Sequence, residues 1–171
     1  MPAIFDPETR DALLKVGWYV VTAVGGLRLA DFRAAGAPFK SDKYFTSQAA
    51  DADDLPIAWG EAAYRGELLP ESLNQPYERA AQLVDVLQPS LPPGSQAIIA
   101  PAALYVHLFV EHHRAHGEWL LQQHYTWAAD KVGTMHLAVG VFGQQRPLLV
   151  SPIPEGTGRG LGVMPVVVPV E

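Results

Sequence analysis

The second half of the chain most constrains its fold. From Gln96 to Glu171, short apolar runs follow one another, each ended by Gly, Pro or a polar turn. The runs are Gln96–Pro101, Ala103–Glu111, Glu118–Trp127, Thr134–Phe142, Pro147–Ser151 and Val163–Val170. All have strand length, and none reaches the roughly 18–20 apolar residues that cross a bilayer. Short strands at regular spacing imply a sandwich or a closed barrel. The expected fold is mainly β: a single β-barrel or jelly roll over residues 1–171, with a few short helices in its loops.

Local patterns refine this expectation. Val16–Val24 is rich in β-branched and aromatic residues, and Leu27–Phe32 alternates after Gly25-Gly26. Two glycines between such runs predict a tight hairpin. Lys43–Ser47 reads as another strand. Asp6-Pro7-Glu8 reads as the start of a short helix. Pro76–Leu87 predicts the best helix, with Ala80, Leu83, Val84 and Leu87 on one face. Pro89 and Pro92-Pro93-Gly94 end it.

Ala102–Ala129 has two readings. Its Ala, Leu, Glu and Gln content suits one long helix. The run Leu104–Val110 shows no 3.6-residue stripe, and Arg114–Gly117 looks like a turn, so the favoured reading is two strands in a hairpin.

The C-terminus is apolar. Val163–Val170 carries five valines, Met164, Pro165 and Pro169, after the glycine-rich stretch Gly156–Gly162. Proline belongs on edge strands and extended segments. Residues 161–171 are therefore expected to form an arm, swung on that hinge and covered by a neighbouring subunit.

Composition excludes several function classes. A net charge of −6 with twelve scattered basic residues gives no basic face for nucleic acid. The absence of Cys removes disulfides and thiolate metal sites. The first residues lack a basic n-region and a long apolar h-region, so no signal peptide is expected. A single Asn, fifteen Pro and more Arg than Lys fit a heat-stable protein, and a GC-rich genome would leave the same mark.

Candidate chemistry is sparse. Four of the six histidines lie between His107 and His116, with Glu111 and Glu118 close by in sequence. On a helix, His112 and His116 would share a face; in a hairpin, His113, His116 and Glu118 would be the candidate metal ligands. Gly133-Thr-Met-His136 resembles the second motif of the cupins. That resemblance implies a metal site in which His136 joins His113, His116 and Glu118. The match departs from the family at three points. Two residues rather than one separate His113 from His116, Lys131 stands where cupins carry Pro, and Gly140 where they carry Asn.

The other motifs lead to bland readings. Asp51-Ala-Asp-Asp54 could offer oxygens to a hard cation, but without the glycine and closing Glu of an EF-hand it reads as a solvated loop. Gly156–Gly162 leads into two prolines rather than a helix, which excludes a phosphate loop. No serine has a nucleophile-elbow context. No catalytic residue, cofactor or resident metal is therefore assigned, and the chain is not expected to be an enzyme.

The overall organisation resembles the small single-jelly-roll coat proteins of tailless icosahedral phages from thermophilic bacteria. The shared features are an extended start, a Pro-rich barrel, an apolar Pro-containing arm, no Cys and no catalytic set. The resemblance implies a capsid subunit that associates with itself and with other coat proteins. It would lie in a virion over an inner membrane that it does not span. Without that resemblance, the expected location is cytoplasmic. The alternatives are the cupin-like metal protein and a β-sandwich binding module.

Overall fold

The computed structural model describes residues 2–36, 39–41, 52–121, 123–141, 148–154 and 160–170. The expected strand Lys43–Ser47 and most of the glycine hinge lie outside these residues.

Two sheets organise the chain. The first runs in the order β1 (Tyr19–Thr22), β4 (Glu61–Tyr64), β10 (Val166–Pro169), β5 (Ser95–Ile98), antiparallel throughout. The second runs β2 (Phe39–Ser41), β8 (Leu148–Ile153), β7 (Met135–Gly140), β6 (Tyr125–Val132), β3 (Ala52–Asp53), with β9 (Leu161–Gly162) also against β6. One of the two sheets curls into a half-barrel. Among the described residues the α-helices are α1 (Pro7–Lys15), α2 (Leu29–Ala34), α3 (Tyr77–Leu87) and α4 (Ala102–His116). The chain is strand-rich, as expected, but its strands form two sheets, and helix (33 %) exceeds strand (29 %), which corrects the expectation of a few short helices in loops.

The helix α4 overturns the favoured hairpin within 102–129. Ala102 to Val106, Leu108 and Phe109 are all buried, and they share one core cluster with residues of both sheets. A helix apolar on every side belongs inside a core. That is why Leu104–Val110 shows no stripe: burial surrounds the first half of α4. Gly117, at φ 74°, ends it in the left-handed conformation that glycine adopts without strain.

A buried carboxylate holds the start of α4. Asp130, on β6, accepts from the Ala102 N–H at 2.5 Å and from the Leu55 N–H at 2.9 Å. Asp54 does the same for α2, accepting from the Leu29 and Ala30 N–H groups at 3.0 and 3.3 Å. The end of the acidic run thus serves as a helix cap.

The hairpin expected across Val16–Phe32 does not form. Its first strand, β1, pairs with β4 instead, and Leu29–Ala34 is α2. Gly25 serves close approach: a Cβ there would sit 2.4 Å from Pro2 Cγ. Gly26, at φ 89°, donates its N–H to the Ile57 carbonyl rather than across a hairpin.

The expected arm is also corrected. β10 is an inner strand, paired with β4 on one side and β5 on the other. Val166 and Val168 face the cluster around α4, while Val167 faces Phe5, Leu13 and Trp18 beside α1. All three are fully buried, which is worth roughly 5–9 kcal/mol of transfer free energy. The segment is covered by its own chain. Its prolines fall where no ladder donor is needed: Pro165 precedes the strand and Pro169 closes it.

The crossing from β9 to β10 is tied by side chains. Thr126 Oγ1 accepts from the Met164 N–H at 2.9 Å, and the Tyr105 hydroxyl donates to the Met164 carbonyl at 2.6 Å. Both polar groups of that buried peptide are satisfied.

Candidate functional site: an open strand edge and its histidine cluster

The first sheet has two edges, and they differ chemically. On β5, the Gln88 side chain mimics a further strand. Its Oε1 accepts from the Ala97 N–H at 3.1 Å, and its Nε2 donates to the Ser95 carbonyl at 2.9 Å. One amide thereby engages two of the outward groups of that edge.

On β1 the ladder parity fixes which groups face outward. The Ala23 N–H donates toward β4's side, to the Gly60 carbonyl, so Tyr19 and Val21 turn their polar groups inward as well. Val20 and Thr22 then face outward. The Thr22 carbonyl meets His107 Nε2 at 2.9 Å. The Val20 N–H and C=O and the Thr22 N–H meet no strand among the described residues. Tyr19–Thr22 holds no charge, no proline and no bulge, the usual devices that blunt an edge. Exposed apolar side chains adjoin it: Leu14 at 51 %, Val16 at 58 % and Tyr19 at 44 %.

Behind this edge lies a cluster of rings. Tyr19 stacks on Tyr64 at 5.2 Å between centroids and meets His112 and His116 at 5.7 and 5.5 Å. The Tyr64 hydroxyl and His112 Nδ1 are 2.8 Å apart. Burial, then the charge of Tyr19, raises the Tyr64 pKa to about 12, so the phenol keeps its proton at neutral pH. Burial and then the neighbouring His116 push His112 below the usual imidazole range, while Glu118 pulls the other way. These residues come from β1, β4 and α4, which are far apart in sequence. Only the helical spacing of His112 and His116 was a signal for the cluster.

The cupin set is not brought together. His113 stacks on Trp119 at 4.0 Å. His136 stacks on Tyr77 at 3.4 Å and 7°, far along the chain on β7, and lines a cavity of about 420 Å³ with Trp127, Lys131, Thr134 and Ile153. Among the described residues no three His, Asp or Glu side chains converge to hold a metal ion. The motif around His136 is instead the β6–β7 turn: Gly133, at φ 61°, sits between paired Val132 and Met135.

Comparison with protein-family models, with curated proteins and with solved structures finds no match. Among the described residues no helix is long and apolar enough to cross a membrane.

Proposed function

We propose that the protein is a structural subunit of a symmetric shell of the viral-capsid kind, acting through contacts with copies of itself and with other coat subunits. The observation that carries this reading is the contrast between the two edges of the first sheet. Gln88 engages two outward groups of β5, whereas the outward backbone groups of Val20 on β1 meet no strand among the described residues and lie beside exposed Leu14, Val16 and Tyr19. A β-branched edge without charge is a template for strand addition. In a shell subunit such an edge is occupied by a neighbour. The jelly-roll description belongs to this same reading, supported by the two-sheet, strand-rich architecture.

Light scattering on the eluting protein, over a wide concentration range, tests the proposal. The expected result is a defined closed oligomer or shell that dissociates on dilution. A monomer at every concentration would overturn it.

A second reading, a binding module, is favoured by one feature. The cavity beside the Tyr77–His136 stack is lined by Trp127 and Ile153 together with the charged residues Lys131 and Glu78. Binding of a small polar ligand, lost on replacing Lys131 by Ala, would support that reading.

A further inference from the structure

His112 and His116 stand four residues apart in the last turns of α4, so they project from one side of the helix. Their ring centroids are 4.4 Å apart, and their planes are tilted by 39°. His116 is exposed and His112 is partly so. We propose that this pair is a two-point site for a divalent ion of the zinc and copper class, with Tyr64 orienting His112.

Imidazole suits zinc, copper and nickel. With bonds of about 2.0–2.1 Å in tetrahedral geometry, the two ligating nitrogens lie roughly 3.3 Å apart. Ring centroids 4.4 Å apart place the two imidazoles near enough for side-chain rotation to bring one nitrogen of each to this separation. The Tyr64 hydroxyl engages His112 Nδ1, which leaves Nε2 for the ion. An outer partner on the second ring nitrogen is the usual means of fixing tautomer and orientation at a metal-bound histidine.

A metal ligand must be a neutral imidazole, so binding releases any proton that the pair carries. No third His, Asp or Glu among the described residues completes the coordination. The remaining positions are filled by water or by a donor from outside the chain. This set shares only His116 with the cupin-like set, and it is independent of the assembly reading.

The test uses the full chain near neutral pH. Copper(II) is titrated and followed by electron paramagnetic resonance, and zinc is titrated by calorimetry. The expected result is one ion per chain, with nitrogen hyperfine structure from two imidazoles. His112→Ala and His116→Ala should each weaken binding by about tenfold or more, and Tyr64→Phe by about tenfold. His113→Ala, one residue along and stacked on Trp119, should leave it unchanged. Melting without metal checks the fold of each variant. His116 is exposed and makes no hydrogen bond among the described residues, so its variant keeps the test decisive. Binding unaffected by His116→Ala, or hyperfine structure from a single imidazole in the unaltered chain, would overturn the proposal.

Discussion

Asp130 should make the stability of this protein fall as pH rises through the mildly acidic range. Its side chain is fully buried and caps α4 through Ala102 while also holding Leu55. Burial raises its pKa to about 6, the backbone N–H groups of Ala102, Leu55 and Asp130 itself oppose the rise, and the charge of Asp54 adds to it. An unfolded Asp titrates near 3.9. The folded value lies above the unfolded one, so the native state keeps a proton that the unfolded chain has released. The stabilisation is complete below about pH 4 and is lost as pH rises through about 6. A gap of about two pH units, at roughly 1.4 kcal/mol each, amounts to about 3 kcal/mol.

Asp130→Asn removes this titration. The amide keeps one oxygen for the Ala102 N–H but turns an NH₂ toward Leu55, so one buried hydrogen bond is lost at about 1–3 kcal/mol, independent of pH. Urea unfolding of both proteins between about pH 4 and about pH 8 measures the difference. The advantage of Asp over Asn should be largest at the acidic end and should shrink by about 3 kcal/mol toward neutrality. A flat difference, or one that grows with pH, would refute the reasoning. It would mean that the N–H donors and the helix N-terminus outweigh burial.

Other consequences follow from the same contacts. Gln88→Ala should cost about 1 kcal/mol in denaturant unfolding and should make the protein aggregate through β5; unchanged solubility would show that the amide does not guard that edge. Tyr105→Phe leaves the buried Met164 carbonyl without its donor, and unfolding should show a loss of about 1–3 kcal/mol. Deleting residues 161–171 removes β9 and β10, an inner strand, so calorimetry should find no cooperative transition. A truncated chain that still melts sharply would restore the arm.

Legibility in the sequence followed how much of an element's environment was local. Pro76–Leu87 was readable because only one face of α3 is buried, with Ala80 and Val84 inward. β5, β7 and β8 were readable because turn residues bound them. The helix α4 was not, because its first half is packed on all sides and there loses the period that marks a helix. The Gly25-Gly26 pair misled for another reason: tight backbone approach and a hairpin turn both require glycine, and only the contacts with Pro2 and Ile57 tell them apart. The prolines of β10 suggested an edge, since position within a sheet is set by distant strands. His112 and His116 were legible as a pair once helical, but Tyr19 and Tyr64 reach them only through the pairing of β1 with β4.

The assembly reading depends on the outer edge of β1, and a pair of proline substitutions addresses it directly. Val20 turns its N–H outward, so Val20→Pro removes an edge donor while sparing the ladder to β4. Val21 turns its N–H inward, so Val21→Pro breaks that ladder. Each variant is measured by light scattering and by thermal melting. The account predicts that Val20→Pro dissociates the oligomer with a modest change in melting, and that Val21→Pro destabilises the fold itself. An oligomer that survives Val20→Pro unchanged would contradict the claim that copies join through this edge.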